Sequence, residues 1–246
     1  MSALLEVRDV SKRFGGVRAL SGVSFSVDAG EVVGLMGDNG AGKSTLMKTI
    51  AGAHAPDAGE ILVDGAPVAF ASPRDATAAG IAVVYQNLAL VDQRDVAANV
   101  FLGRELTRFG FLDRARMRAE AQAVITELGV KIRSMRLPVG GMSGGQRQGV
   151  AIARAVHLGG RLVLLDEPTA ALGPEQQQAV LDLITRLRDQ GTAVILVSHN
   201  IDHVMAVADR IVVMREGRVA GVKAVADTAA LEVIQLIMST SAGALA

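Results

Sequence analysis

The nine residues at positions 37–45 constrain the fold more than any other stretch of this chain. They read GDNGAGKST, follow the apolar run Val32–Met36 and precede a helical pattern over 45–50. Strand, glycine-rich turn, Gly-Lys-Ser and helix in that order form a phosphate-binding loop. Glycines let consecutive backbone N–H groups curve around a phosphate, and the N-terminus of the helix adds partial positive charge. The stretch therefore predicts a site for a nucleotide.

Two side chains of this loop have expected roles of their own. Lys43 can reach the β- and γ-phosphates, and Ser44 can offer its hydroxyl to Mg²⁺. Kinases, GTPases, helicases and transport ATPases all have such a loop. The loop alone therefore leaves the class of enzyme open.

Length and composition exclude several classes of protein. The 246 residues suit one large α/β domain, or one domain with an inserted lobe. Lys and Arg balance Asp and Glu at 25 each, so the overall basic excess that is typical of nucleic-acid binding is missing. The absence of Cys rules out disulfides and thiol chemistry. Glu6 brings a charge too early for a signal peptide, and no uncharged apolar run approaches the ~20 residues that span a bilayer.

Polar side chains follow three further apolar runs that are predicted as strands. Residues 81–86 end at Gln86, at the strand end where open parallel sheets contact ligands. Residues 161–168 form a buried strand with two terminal carboxylates, Asp166 and Glu167. We expect Asp166 to hold hydrated Mg²⁺ and Glu167 to polarise a water. The alternatives are a surface glutamine and solvated acids.

Histidines offer one further candidate. The run 192–197 ends near His199, which we interpret as a γ-phosphate ligand. His203 lies four residues later, but a metal pair is rejected because no further ligand set accompanies it. His54, His157 and His203 are therefore interpreted as ordinary surface or helix residues.

The remaining pattern alternates strands and helices around an inserted helical lobe at 92–142. Strands are expected over 4–28, with a loop at 12–16 where Phe14 either stacks on an adenine or covers the edge of the core. Further helices are expected over 73–80 with Ser72 as N-cap, 113–128, 149–157, 174–189 and about 228–238, with strands over 59–65 and around 210–220. An apolar stripe in the helix at 113–128 comprises Met117, Ala121, Val124, Ile125 and Leu128. Residues 239–246 are small enough to fray.

The stretch Ser143-Gly144-Gly145-Gln146 precedes the helix predicted at 149–157. Ser143 is a natural N-cap, and the paired glycines leave the end of the helix bare. A bare helix N-terminus attracts an anion. As an isolated string, however, Ser-Gly-Gly also describes a flexible turn.

Taken in order, these motifs resemble the ATP-binding subunits of ABC transporters, and the resemblance covers nearly the whole chain. The string Ser-Gly-Gly-Gln followed by Leu-Leu-Asp-Glu-Pro separates that family from other phosphate-loop enzymes. Segments 79–86 and 197–204 look like those of monosaccharide-import ATPases of the fructose or ribose type. The resemblance implies one ABC ATPase domain over 1–246. It would have a RecA-like phosphate-loop core at about 1–90 and 158–246, an N-terminal antiparallel β region and a helical subdomain at about 91–157.

The resemblance also implies roles for individual residues. The triphosphate would be bound by Gly37, Asp38, Asn39, Gly40, Ala41, Gly42, Lys43, Ser44 and Thr45, and Mg²⁺ by Ser44, Gln86 and Asp166. Phe14 would stack on adenine, Glu167 would be the general base, and His199 would hold the γ-phosphate and the attacking water. The anion-seeking helix end, formed by Ser143, Gly144, Gly145 and Gln146, would contact the ATP of the other subunit in a head-to-tail homodimer. The further partners would be a membrane permease and, indirectly, a sugar-binding protein, at the cytoplasmic side of the inner membrane and without nucleic acid.

Two positions depart from the family pattern. Met142 replaces a leucine, a swap that conserves volume and is expected to be mild. Gly173 stands where most members have Asp, in a loop that communicates across the dimer. Three other functions stay open: an ABC ATPase for amino acids, lipids or export, a soluble ABC protein of DNA repair or translation, and a nucleotide-binding regulator without turnover.

Overall fold

The computed structural model of the protein describes residues 3–238. In chain order the strands are β1 (Leu5–Phe14), β2 (Val17–Val27), β3 (Val32–Met36), β4 (Ala58–Val63), β5 (Ala66–Val68), β6 (Ile81–Val84), β7 (Thr107–Arg108), β8 (Phe111–Leu112), β9 (Leu162–Asp166), β10 (Ala193–Val197), β11 (Arg210–Arg215) and β12 (Arg218–Ala224). The α-helices are α1 (Lys43–Ile50), α2 (Pro73–Ala78), α3 (Val96–Val100), α4 (Arg114–Glu127), α5 (Gly144–His157), α6 (Pro174–Asp189), α7 (Ile201–Val207) and α8 (Ala230–Met238). Over this range none of the helices has the length and apolarity needed to cross a bilayer.

The main sheet of the described chain has six strands in the order β12-β11-β3-β10-β9-β6. Neighbouring strands are parallel except for β11 and β12, which form an antiparallel edge. Val197 pairs with Leu35 on one side and with Asp166 on the other, so β3, β10 and β9 end at the same level. The segments that follow these strands therefore meet at one edge of the sheet, where open parallel sheets bind ligands.

Both faces of the main sheet are covered, which explains why β3, β9 and β10 are continuous aliphatic runs. Ile195 and Val197 of β10 face one core, which they share with α1 and the second sheet. Val194 and Leu196 face the other core, which they share with α4, α5, α6 and α7. The alternation follows from the two-residue period of a strand.

The second sheet is antiparallel, with the order β2-β1-β4-β5. It is the antiparallel region predicted near the N-terminus. The prediction of a loop at 12–16 is wrong, because β1 pairs with β2 as far as Phe14 opposite Val17 and only Gly15 and Gly16 form the turn. Gly15 has a φ of 56°, which a glycine adopts at little cost.

The helical region between β6 and β9 contains α3, α4 and α5. The predicted apolar stripe of α4 is buried at Met117, Ala121, Ile125 and Leu128, while Val124 is partly buried. The helix expected from Gly149 begins five residues earlier, because a capping box holds its first turn. The assignment of this region to a separate subdomain at about 91–157 stays a prediction.

The capping box of α5 joins Ser143 and Gln146. Ser143 Oγ accepts a hydrogen bond from Gln146 N at 3.3 Å, and Gln146 Oε1 accepts one from Ser143 N at 3.1 Å. Two orphan N–H groups are satisfied in this way, so the helix starts at Gly144 in spite of the low helix propensity of its paired glycines.

Smaller corrections concern strand ends and one hairpin. Strand β6 ends at Val84 and β9 at Asp166, so Gln86 and Glu167 lie just beyond their strands. Helix α6 has the predicted bounds, and α8 begins at Ala230 rather than near 228. The hairpin of β7 and β8 carries no strand-like alternation long enough to be predicted. The expected fraying at 239–246 lies outside the described residues.

Candidate active site

The phosphate-binding loop joins β3 to α1, and two of its glycines are required by close contacts. Gly37 has a φ of 146°, and a Cβ there would lie 2.2 Å from Met214 O. Gly42 has a φ of 100°, and its Cβ would lie 2.7 Å from Ala19 O. In the described chain no side chain caps α1, so N–H groups of its first turn are available to an anion.

Lys43 is held over the loop that precedes it. Its Nζ donates to Gly37 O at 2.7 Å and to Asp38 O at 2.9 Å. An ammonium has three donors, so one remains for a phosphate oxygen. Burial lowers the pKa of the Lys43 ammonium, and three nearby carboxylates oppose that shift.

Two carboxylates follow one another at the end of β9. Burial raises the pKa of the Asp166 carboxyl and the adjacent Glu167 raises it further, while Lys43 and Lys48 act in the opposite direction. A cation beside Asp166 would favour its charged form. Glu167 has a left-handed φ of 50°, a conformation that costs free energy in a non-glycine residue and is typical of functional sites.

His199 lies close to Glu167. Its Nδ1 is 2.9 Å from Glu167 Oε2, which is ion-pair distance. The orientation does not satisfy a hydrogen bond, and Glu167 Oε2 is buried without a hydrogen-bond partner among residues 3–238. The imidazole itself is 77% exposed, whereas the Glu167 side chain is only 17% exposed. A buried oxygen without a hydrogen bond requires an explanation, such as a water or a ligand in the cavity it faces.

Most of the predicted site residues line one cavity of about 790 Å³. The predicted residues that line it are Asn39, Gly40, Ala41, Gly42, Lys43, Ser44, Thr45, Gln86, Asp166, Glu167 and His199. Ser44, Gln86 and Asp166 provide hydroxyl, amide carbonyl and carboxylate oxygens, which are the ligands that Mg²⁺ prefers. Gly37 and Asp38 belong to the same loop, and their carbonyls hold Lys43.

Segments of two hairpins line the same cavity and were missed in the sequence analysis. One contributes Val17, Arg18 and Ala19 of β2, and the other Glu216 and Gly217 between β11 and β12. Gly217 connects β2 to the phosphate-binding loop, since Ser21 N donates to Gly217 O and Gly217 N donates to Ala41 O. Neither turn carries a motif that could have identified it, because the contacts depend on sheet pairing.

Besides Gly37 and Asp38, five predicted site residues do not line this cavity in the described chain. Phe14 ends β1 with its ring 5.1 Å from that of His54, in an edge-on contact. Ser143, Gly144, Gly145 and Gln146 begin α5 and pack toward α6 and the segment before it. A Cβ at Gly144 would lie 2.4 Å from Leu172 Cδ2, so a side chain there would have to displace the end of the Leu172 side chain.

His203 is less ordinary than the sequence suggested. It lies on α7 with Nδ1 3.0 Å from Thr169 Oγ1, and its backbone N–H donates to Asn200 Oδ1 at 3.2 Å. It thereby ties the segment after Glu167 to the segment after His199. His157, by contrast, packs its ring 4.1 Å from that of Phe101, and burial lowers its pKa.

The phosphate loop, the acid pair and the strand order define a phosphate-loop nucleotide hydrolase. A family model described as ABC transporter matches residues 20–170, which is more than half of the chain. The chain therefore belongs to the ABC transporter family, and its fold is the predicted α/β phosphate-loop fold with an antiparallel β region and an inserted helical region.

Curated relatives extend this likeness to nearly full length. The chain is 44% identical over 243 residues to a xylose/arabinose import ATP-binding protein of Sulfolobus acidocaldarius, covering 99% of this chain and 97% of that protein. It is 48% identical over 223 residues to a fructose import ATP-binding protein of Rhizobium meliloti, covering 87% and 86%. A ribose import ATP-binding protein of Yersinia pestis is 43% identical and is covered over 46% of its length.

Solved structures agree in fold. A nucleotide-free ATP-binding cassette from an ABC transporter has a TM-score of 0.82 at 23% identity, covering 97% of this chain and 100% of that one. A dimeric cassette in a post-hydrolysis state, bound to ADP and Pi, has a TM-score of 0.75 at 26% identity, covering 90% and 98%. The chain is thus similar in fold to a cassette that binds nucleotide as a dimer.

Proposed function

We propose that this protein is the ATP-binding and ATP-hydrolysing subunit of an importer that takes up a monosaccharide. Support for the sugar comes from the relatives at 44% and 48% identity, which are named for xylose/arabinose and for fructose import. The observation that carries the hydrolytic part is Glu167 Oε2, which is buried without a hydrogen-bond partner in the described chain. It belongs to a residue that lines the same cavity as Lys43 and Ser44.

Glu167 acts as the general base. Its Oε2 accepts a proton from the water that attacks the γ-phosphate, since a base must lie within hydrogen-bond reach of that proton. The left-handed backbone at Glu167 and the bond from its N–H to Val197 O fix the carboxylate at the end of the sheet. His199, close to the same carboxylate, binds the γ-phosphate and orients the attacking water.

Binding of the nucleotide uses the loop and the two hairpin turns. Loop N–H groups and the remaining donor of Lys43 bind the phosphates, and Ser44, Gln86 and Asp166 would hold Mg²⁺. When bound, Mg²⁺ neutralises the charge on the phosphate oxygens. Phe14 contacts the adenine base, since it ends the strand that leads into the cavity-lining turn at Val17.

The second half of the site comes from a second copy of this chain. Ser143, Gly144, Gly145 and Gln146 do not line the cavity of their own described chain, yet they form a helix N-terminus suited to an anion. In a head-to-tail homodimer this helix end contacts the γ-phosphate bound by the partner. The dimeric post-hydrolysis cassette at 26% identity, bound to ADP and Pi, supports the proposal of a dimer.

A membrane permease docks on the helical region, beside the segment that follows Gln86. A groove of about 370 Å³ runs between α3 and the start of α4, and exposed Leu102 and Leu112 line it. The hairpin of β7 and β8 extends the apolar surface, with Phe109 89% and Phe111 80% exposed. An exposed apolar patch of this kind marks an interaction site. The subunit would lie at the cytoplasmic face of the membrane, and a sugar-binding protein would deliver the substrate on the other side.

The test compares wild type with Glu167→Gln and with Glu60→Gln, an exposed acid on β4. We expect Glu167→Gln to bind ATP with near-normal affinity, to form a stable ATP-dependent dimer and to lose about 100-fold or more in hydrolysis rate. Glu60→Gln should keep the wild-type rate. Hydrolysis by Glu167→Gln at the wild-type rate would contradict the assignment of the base.

Transport is tested separately from hydrolysis. Cells that express the protein with its permease should take up a labelled pentose or hexose, and cells with Glu167→Gln should not. Copurification with ribosomes or nucleic acid instead of a membrane permease would refute the transport function. Absence of phosphate release by the wild-type protein, with ATP still bound, would identify a regulator without turnover.

A further inference from the structure

Helix α5 is joined to the segment after Gln86 by two arginines that lie seven residues apart. Arg154 donates from Nη2 to Leu88 O at 2.7 Å and from Nη1 to Ala89 O at 2.9 Å. Arg147 Nη2 donates to Asp92 Oδ1 at 2.7 Å. Residues seven apart project from the same side of a helix, so both contacts fall on one face of α5.

Arg154 is the stronger of the two contacts. Its planar guanidinium has donors in a fixed fork, and here that fork spans two consecutive backbone carbonyls. Burial lowers the pKa of the Arg154 guanidinium, so the charge is desolvated, which is costly unless its hydrogen bonds compensate. Arg147 and Asp92 form a half-exposed pair, and pairs of that kind contribute little.

The segment held by Arg154 has no regular secondary structure to keep its shape. Ala89 has a left-handed φ of 48°, which a non-glycine residue adopts only when its surroundings impose it. Further along, the fully buried Asn99 accepts from Val91 N at 2.7 Å and donates to Val91 O at 3.1 Å. Side chains, rather than a ladder of backbone bonds, therefore position the chain that leads away from Gln86.

We propose that Arg154 is a positioning residue that couples the nucleotide state sensed at Gln86 to the position of the Ser143 end of α5. This inference rests on the proposed function, in which Gln86 serves its own ATP and Ser143 serves the ATP of the partner. Movement of Gln86 toward a bound nucleotide displaces Leu88 and Ala89, and the fork of Arg154 carries α5 with them. Each chain thus reports the occupancy of its own cavity to the site it completes in the other.

The test uses Arg154→Gln, with Arg116→Gln as a matched control, since Arg116 is an exposed helical arginine paired to Glu120 on α4. Affinity of the monomer for a fluorescent ATP analogue, the ATP dependence of hydrolysis and ATP-dependent dimerisation are measured on each. We expect Arg154→Gln to keep its nucleotide affinity within about twofold, while kcat falls by about tenfold and the Hill coefficient falls to one. Arg116→Gln should match the wild type in all three.

Arg154→Lys separates coupling from folding. Lysine keeps the charge but cannot span two carbonyls with one fork, so we expect a kcat and Hill coefficient between those of wild type and Arg154→Gln. A wild-type kcat and Hill coefficient in Arg154→Gln would overturn the proposal, and so would an equal loss of nucleotide affinity and kcat in Arg154→Lys, which indicates a structural role. Lack of hydrolysis by the wild-type protein in the same assay would instead refute the proposed function.

Discussion

Gly37 and Gly40 both lie in the phosphate-binding loop with positive φ, but only one of them has room for a side chain. A Cβ at Gly37 would lie 2.2 Å from Met214 O, whereas a Cβ at Gly40 meets nothing within 4 Å in the described chain. Met214 is a buried residue of β11, which pairs with β3, so its carbonyl cannot move cheaply. Alanine at these two positions therefore separates close contact from backbone strain.

The expected magnitudes follow from these contacts. Gly40→Ala adopts a left-handed backbone at a cost of about 1–2 kcal/mol. Gly37→Ala has a strained backbone at about 1–3 kcal/mol and an overpacked contact at about 1–3 kcal/mol, so the total is roughly 2–6 kcal/mol. Urea unfolding of the nucleotide-free protein measures both free energies, and ATP titration should show the weaker affinity for Gly37→Ala. Equal destabilisation by the two variants would refute the reasoning.

Three further perturbations test other parts of the molecule. Gly173→Asp should leave the free energy of unfolding unchanged or raise it by a few tenths of a kcal/mol. Gly173 is the N-cap of α6 with an ordinary φ, and no described atom lies within 4 Å of a Cβ built there. Thermal unfolding measures this, and a large loss of stability would contradict it. Phe109→Ser with Phe111→Ser should reduce copurification with the permease and leave ATP affinity unchanged, while Leu231→Ser, an exposed leucine of α8, serves as control. The pKa of Asp166 is raised in the folded state, so its charge destabilises the nucleotide-free protein at pH values above that pKa. Asp166→Asn should therefore raise the melting temperature at neutral pH and abolish Mg²⁺-dependent hydrolysis. The gain in melting temperature should vanish as the pH falls through the pKa of Asp166.

Three polar side chains near strand ends were predictable from the sequence because each follows a continuous aliphatic run. Gln86, Asp166 and His199 follow three such runs, and the structure brings all three to one cavity with the phosphate loop. Local chemistry decides these positions, so no tertiary information was required. The start of α5 was misjudged because paired glycines disfavour a helix, whereas the reciprocal bonds of Ser143 and Gln146 outweigh that preference.

The two hairpin turns in the cavity could not be predicted in the same way. Ala19 and Gly217 are far apart in sequence, and they meet only because the turn between β11 and β12 packs against the first residues of β2. A Cβ at Gly217 would lie 2.6 Å from Ala19 O, so this contact requires glycine. Contacts that depend on how two sheets stack leave no periodic pattern in either segment.

The segment between Glu167 and Gly173 is held by contacts within its own chain. Gly173 gives α6 no side-chain cap in the described chain. Thr169 is 4% exposed, with its hydroxyl 3.0 Å from His203 Nδ1 and its carbonyl 3.5 Å from Gln177 Nε2. Because Ala170 N also donates to Glu167 O, these bonds reach the proposed base through one turn of chain. We infer that the position of Glu167 depends on His203 of its own chain, through Thr169 and the turn that joins Thr169 to Glu167.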